Sequence, residues 1–319
     1  MLDVATSERA AGQPLRAVRP APRRMAGAGS HLLLVANANA SGLNGRRETV
    51  DRAASLLRSF GAFVETRWTG SAGELDEFVS EEERRIVLIG GDGTLHAVAN
   101  ICGHKPEVAL LPRGRANNMA RALGVPLGLK SAARLAVQGI AHPIDGIAVE
   151  ANGLTMTALE GVSVGFHAQA RALYRGVNSA DTAAGVAAAV RAFTHFEPVS
   201  LALEIDGESE VRRVGQLFVV NFPLFGPRLS VAPGADPGDG VLEVVELDAG
   251  NRARLARDLV LLKRGTHVGN AGVKIRPARQ VRLAPDGRSP VVADTTVLSP
   301  GPVELAVRRR AVQVVGPGR

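Results

Sequence analysis

The sequence has 319 residues, of which 45% are hydrophobic, so it is long enough for two domains that each bury a core. Its net charge of +7 favours contact with anions such as nucleotides or acidic lipid headgroups, whereas an aromatic content of 3% argues against a binder of single-stranded nucleic acid. No signal peptide or transmembrane stretch is evident, and Cys102 is the single cysteine, so we expect a cytoplasmic protein without disulfides.

The chain begins with residues 1–30, which contain scattered arginine and proline and predict a disordered basic leader. A buried strand over 31–36 follows and ends in a loop of small polar residues that includes Asn37 and Gly42. Open α/β sheets bind ligands at the carboxyl ends of their strands, so this loop is a candidate binding site. The next predicted elements are a helix around 50–57, a strand over 62–67 and a helix headed by the capping-box pair Ser71 and Glu74.

The most informative segment is a buried strand over 86–89 that leads directly into Gly90-Gly91-Asp92-Gly93-Thr94. Glycines in this setting let the backbone turn sharply and come close to a phosphate group. Asp92 suits either a Mg²⁺ ion that neutralises phosphate charge or acceptance of a proton from an attacking hydroxyl. Thr94 is predicted to cap the following helix and to offer its hydroxyl to phosphate. A turn that only closes a strand-to-helix corner is the alternative.

A second loop follows the predicted strand 107–111 and opens a short helix. Both loops lie at the carboxyl edge of the sheet, so they can share one phosphate group. The candidate ligand-binding residues of the second loop are Gly114, Arg115 and Asn117. Strands that alternate with helices predict a doubly wound, nucleotide-binding α/β domain over 31–142.

From about residue 140 the pattern changes to short alternating segments, which predict a mainly antiparallel β-sandwich over 143–309. Helices are predicted at 179–193 and 251–263. The predicted strands are 144–150, 154–160, 199–205, 214–222, 241–247, 279–284, 290–293 and 303–307. Asp236 and Asp239 stand three positions apart in a glycine-rich loop, where they can converge on a hard cation or form a solvated turn.

The Gly-Gly-Asp-Gly-Thr motif resembles the signature shared by diacylglycerol kinases, sphingosine kinases and NAD kinases. Beyond it, residues 31–317 resemble the bacterial diacylglycerol kinase-like lipid kinases. Loop 37–42 is similar to the family's Asn-Pro-x-x-Gly, and 112–121 is similar to its Pro-x-Gly-Thr-x-Asn-Asp-x-Ala-Arg. Segment 161–170 resembles its Ser-x-Gly-x-Asp-Ala turn, with His167 in the acidic position. The resemblance implies ATP and Mg²⁺ as cofactors and a last strand, about 310–316, that returns to the first domain.

In that family the loop equivalent to 236–241 holds a structural Mg²⁺, which implies Asp236, Asp239 and the carbonyl of Val241 as ligands here. Where the family has Asp-Gly-Glu, with the glutamate taken as the proton acceptor, this chain has Asp294-Thr295-Thr296. Threonine is no useful base, so Asp294 and Asp92 are the candidate catalytic carboxylates. Arg115 likewise replaces the family's threonine, but arginine can still bind phosphate.

These observations favour an ATP-dependent lipid kinase that phosphorylates a hydroxyl of a diacylglycerol-like or long-chain lipid. A catalytically weak or inactive relative that binds nucleotide or lipid is the alternative, and an NAD kinase is less strongly indicated. The expected partner is a lipid substrate at the membrane surface, contacted transiently, and no nucleic acid. The sequence leaves the oligomeric state open, a homodimer included.

Overall fold

The computed structural model describes residues 29–40, 43, 46–174, 182–287 and 289–318. Residues 1–28 of the predicted leader lie outside the described residues, and so does Gly42. Within those ranges no helix is both long enough and apolar enough to cross a bilayer.

The first domain is built on parallel strands in the spatial order β2, β1, β3, β4. These strands are β1 (His31–Asn37), β2 (Phe63–Thr69), β3 (Arg85–Gly90) and β4 (Glu107–Pro112). The helices are α1 (Arg47–Ser59), α2 (Ala72–Val79), α3 (Asp92–Cys102), α4 (Asn118–Ala122) and α5 (Leu129–Gln138). Every residue of β3 is buried, as expected for a central parallel strand covered on both faces. The predicted α/β architecture is therefore confirmed.

Helix α2 begins as the sequence predicted. The Ser71 hydroxyl accepts a hydrogen bond from the Glu74 amide at 3.2 Å, and the Glu74 carboxylate accepts one from the Gly70 amide at 2.6 Å. Two amides at the helix start are thus satisfied by side chains.

The second part of the chain is mainly antiparallel sheet. Its strands are β5 (Ile140–Ala151), β6 (Leu154–Ala158), β7 (Gly161–Gly165), β8 (Val199–Ile205), β9 (Glu208–Val220), β10 (Leu224–Phe225), β11 (Leu229–Ser230), β12 (Leu242–Asp248), β13 (Val273–Ala278), β14 (Gln280–Pro285), β15 (Val291–Ala293), β16 (Thr296–Val297) and β17 (Val303–Gly316). Its helices are α6 (Phe166–Leu173), α7 (Thr182–Thr194) and α8 (Arg252–Arg264). Strand β8 alternates buried and exposed residues, so its apolar side chains enter the core while the others face outward.

Strand β17 connects the two parts of the molecule. It runs antiparallel to β5 and β14, and its far end runs parallel to β4, where Gln313 pairs with Glu107. An irregularity between Arg308 and Val312, with Arg310 at a φ of 51°, lies between these two stretches. The segments 303–307 and 310–316, which the sequence suggested as separate strands, are therefore one long strand that joins the parallel and antiparallel regions into a single sheet.

Candidate active site

Two glycine loops pack backbone against backbone at the carboxyl edge of the parallel strands. A Cβ atom added to Gly91 would lie 2.8 Å from the Cα atom of Gly114, and one added to Gly114 would lie 2.5 Å from the Cα atom of Gly91. The amide of Arg113 also donates to the carbonyl of Gly90 at 2.6 Å. Since no side chain fits between the loops, glycine is required for them to form one continuous surface.

The loop after β1 is tied to the same surface. Asn37 Nδ2 donates to Thr94 Oγ1 at 3.0 Å, and Asn39 Nδ2 donates to the carbonyl of Gly70 at 2.7 Å. Helix α3 begins at Asp92 with Gly91 as its N-cap, so the prediction that Thr94 caps the helix is wrong. Thr94 instead lies buried in the first turn, where its hydroxyl accepts the hydrogen bond from the Asn37 side chain.

Asp92 joins the two glycine loops through its carboxylate. Its Oδ2 accepts from the Asn118 amide at 3.0 Å, and its Oδ1 accepts from the Met119 amide at 3.1 Å. Burial raises the pKa of Asp92 above its usual value, the two amides oppose this rise, and the charge of Asp294 adds to it. Each carboxylate oxygen thus already has a backbone partner, and Asp92 holds the start of α4 in place.

The other predicted residues of the second loop have different roles. Asn117, at a φ of 51°, makes two hydrogen bonds of 2.9 Å to the backbone of Gly114, one as donor and one as acceptor. Gly114 and Asn117 therefore shape the loop. The side chain of Arg115 is exposed at the same edge, where a cation can meet an anionic ligand.

Asp294 is held by backbone amides of the turn between β6 and β7. Its Oδ2 accepts from the Leu159 amide at 2.8 Å, and its Oδ1 accepts from the amides of Glu160 and Gly161 at 2.9 and 3.0 Å. His96 Nε2 lies 3.6 Å from Oδ2. The structure brings Asp294 close enough to Asp92 for their charges to interact, but it uses the Asp294 carboxylate as a structural clamp.

Glu160 is the acidic residue at this site that the sequence analysis missed. The residue is 9% exposed, and its Oε1 atom is buried without a hydrogen-bond partner. Burial, together with the charges of Asp92 and Asp294, raises the pKa of Glu160 well above its usual value, while the Asn118 side chain and the Gly226 amide oppose the rise. The available signal was one glutamate inside the largely apolar stretch from β6 to β7.

Asn118 lies beside Glu160, and His167 lies against Gly226, where a Cβ atom added to the glycine would stand 3.2 Å from His167 Nε2. Asn118 Nδ2 donates to the carbonyl of Gly226 at 2.9 Å, and Asn118 Oδ1 is buried without a partner. His167 Nδ1 lies 2.9 Å from the hydroxyl of Ser163. Burial lowers the pKa of His167 to about 4, with the charge of Arg171 as a further cause, so His167 is neutral near pH 7.

The loop predicted to hold a metal is closed by its own side chains. Asp236 Oδ1 accepts from the Gly238 amide at 3.0 Å, and Asp239 Oδ1 accepts from the Val241 amide at 2.9 Å. Burial raises the pKa of Asp239, and so do the charges of Asp236 and Asp145. Arg309 opposes this rise and pairs with Asp145 at 2.8 Å.

This loop therefore has more negative than positive charge, which fits a cation. In the described part of the chain, however, no group of three or more His, Cys, Asp or Glu side chains converges as a metal site. A cation here would need backbone carbonyl or water ligands in addition to the carboxylates.

Two family models match the chain. Residues 31–149 match the diacylglycerol kinase catalytic domain, and residues 160–316 match the YegS C-terminal NAD kinase beta sandwich-like domain. The second match begins at Glu160, in the turn beside the cluster of carboxylates.

Similar proteins carry related names. A probable lipid kinase YegS-like from Stenotrophomonas maltophilia is 34% identical over 147 residues, which are 43% of this chain and 46% of the relative's length. A diacylglycerol kinase from Mycobacterium tuberculosis is 26% identical over 239 residues, 73% of this chain and 76% of that protein.

A crystal structure of a putative diacylglycerol kinase from Bacillus anthracis shares the fold, with a TM-score of 0.73 at 18% identity over 92% of this chain and 97% of that one. The two family models together account for both parts of this fold. The chain belongs to the family of diacylglycerol kinase-like lipid kinases.

Proposed function

We propose that this protein transfers the γ-phosphoryl group of ATP to a hydroxyl of a diacylglycerol-like or long-chain lipid at the membrane surface. The observation that carries the proposal is the contact between Gly91 and Gly114. It merges the two glycine loops into one surface of backbone at the start of α3, and such surfaces suit phosphate groups.

Different residues of this chain have different roles in phosphoryl transfer. Backbone amides around Gly91 and Gly93, at the amino end of the 11-residue helix α3, face the phosphates with the positive end of the helix dipole. Arg115 offsets further negative charge from the exposed side of the second loop. Asp92 and Asn37 keep the loops in register, so that the phosphates and the acceptor hydroxyl are positioned by a rigid site.

Mg²⁺ would supply charge neutralisation for the phosphates at Asp92, whose oxygens each retain a lone pair beyond the one amide bond described. A second, structural ion would be held at Asp236, Asp239 and the carbonyl of Val241, where the surplus of negative charge fits it. The basic surface and the net charge of +7 would favour transient contact with acidic lipid.

One observation favours the catalytically weak or inactive alternative. Asp294, the candidate base from the sequence, accepts three backbone amides, and moving it toward a substrate would leave those amides without partners. In this alternative the protein binds nucleotide and lipid but transfers no phosphoryl group.

The test is transfer of label from γ-labelled ATP with Mg²⁺ to a panel of lipids in mixed micelles, with NAD as a parallel acceptor. We expect label in at least one lipid from the wild type, little from Asp92→Asn, and wild-type transfer from Asp76→Asn, an exposed aspartate on α2. Thermal melts check that each variant is folded. ATP binding without label in any lipid would support the inactive alternative, and label in NAD would overturn the choice of a lipid acceptor.

A further inference from the structure

Once Glu160 is ionised and its carboxyl hydrogen is lost, the site contains two buried hydrogen-bond acceptors that lack a donor. These are Glu160 Oε1 and Asn118 Oδ1. The bond from Asn118 Nδ2 to the carbonyl of Gly226 sets the orientation of the Asn118 amide. A flip that exchanged the positions of Nδ2 and Oδ1 would lose this bond, so the position of Oδ1 holds an acceptor. Buried polar atoms nearly always have partners, so a pair of unsatisfied acceptors in one cluster points to a group with an O–H or N–H that belongs there.

The two neighbouring carboxylates do not share this property. Asp92 has a backbone amide on each oxygen, and Asp294 has three amides on its two oxygens. Of these three acids, Glu160 is the one with an oxygen that makes no hydrogen bond. Its charge interacts with both of the others, which places it within the same cluster as the Asp92 that joins the phosphate loops.

We propose that Glu160 accepts the proton of the acceptor hydroxyl, and that Glu160 Oε1 marks where that hydroxyl binds. This inference rests on the proposed function. A primary hydroxyl has one donor hydrogen, and in the proposed step it donates that hydrogen to Glu160 Oε1, while Asn118 Oδ1 is the second open acceptor of the same cluster.

In the proposed step the hydroxyl oxygen forms a bond to the γ-phosphorus of ATP, and the bond between that phosphorus and the β,γ-bridging oxygen breaks. The electron pair of the broken bond leaves with ADP. The proton of the hydroxyl moves to Glu160 Oε1, and solvent removes it after the product departs. Glu160 must be ionised before the step, and the ionisable groups whose charges act on it are Asp92 on α3 and Asp294 beside β15.

The test compares Glu160→Gln with the wild type. Because burial favours the uncharged form of Glu160, glutamine reproduces the shape and the neutral state of the resting side chain, and a purely structural role would survive the change. We expect kcat to fall about 10²–10⁴-fold, as for loss of a positioned base, with the KM for ATP unchanged. Glu150→Gln, at an exposed glutamate of β5, is the matched control and should retain wild-type rates.

The pH profile separates catalysis from support of the fold. The wild-type rate should rise with pH as Glu160 ionises, Glu160→Asp should retain this dependence at a lower rate, and Glu160→Gln should lose it. A Glu160→Gln enzyme with kcat within twofold of the wild type, or with an unchanged pH profile, would overturn the inference while leaving the lipid kinase intact. A wild type that transfers no phosphoryl group, although it binds ATP, would instead refute the proposed function and this inference with it.

Discussion

The contact between the glycine loops predicts opposite effects for two glycines of one motif. At Gly91 the backbone is extended, with φ −117° and ψ −170°, so alanine is allowed by its backbone conformation. Its Cβ, however, would stand 2.8 Å from the Cα of Gly114. Carbon atoms prefer separations of about 3.5–4.0 Å, so the loops would have to move apart by about 1 Å. We expect Gly91→Ala to lower the free energy of unfolding by about 1–3 kcal/mol, as for other overpacked sites.

Gly93 is the matched control, two residues away in the same motif. A Cβ at Gly93 meets nothing within 4 Å, and Gly93 lies inside the first turn of α3. Alanine there should raise the free energy of unfolding by about 0.5–1 kcal/mol, since glycine is a poor helix former.

Urea unfolding followed by circular dichroism measures both changes, with the m-value checked for each variant. Equal stability of Gly91→Ala and the wild type, or an equal loss for both variants, would show that the loops do not meet as described. Gly91→Ala should also weaken ATP binding if this surface holds phosphate.

Three further predictions concern the acids. Glu160→Gln should raise the melting temperature by an amount that grows with pH. The folded pKa of Glu160 lies above its unfolded value, so the stability that the protonated carboxyl contributes is lost as pH rises through the folded pKa. A difference in melting temperature that does not change with pH would contradict this prediction. Asp294→Asn should lower the free energy of unfolding by about 1–3 kcal/mol, because an amide nitrogen would face backbone donors, and an unchanged melt would exclude the clamp. Mg²⁺ should raise the melting temperature of the wild type more than that of Asp239→Asn; equal shifts would argue against an ion in that loop.

Local sequence patterns predicted most of the helices and strands. The run of buried residues in β3 and the alternation in β8 follow directly from apolar spacing, and the glycine loop lies where a strand passes into a helix. Strand β13 was missed because Pro277 stands in it and weakens the strand signal, yet β13 pairs with β12 alone in the described residues, where a proline is tolerated. Helix α5 was missed too, although its alanines face the core.

The details of the site depend on contacts between distant residues, which spacing does not reveal. The amides that occupy Asp294 belong to Leu159, Glu160 and Gly161, more than 130 positions earlier in the chain. A motif identifies Asp92 and Asp294 as acids, but only the tertiary structure shows which of their oxygens already have partners. Glu160 escaped notice for the same reason, since its importance arises from the other acids that folding brings to it.

The burial of Glu160 gives its two predicted effects opposite signs. A buried carboxyl oxygen without a partner costs about 1–3 kcal/mol of stability. Glutamine has the same shape and carries no charge that burial would penalise. Packing therefore gives no reason for an acid at this position. Phosphoryl transfer does give one, because only the acid can take a proton from the acceptor. If Glu160 only supported the fold, glutamine of the same shape would leave both stability and activity close to those of the wild type. Glu160→Gln should instead gain stability and lose turnover, a pairing that is expected where a site is built for chemistry at the expense of the fold.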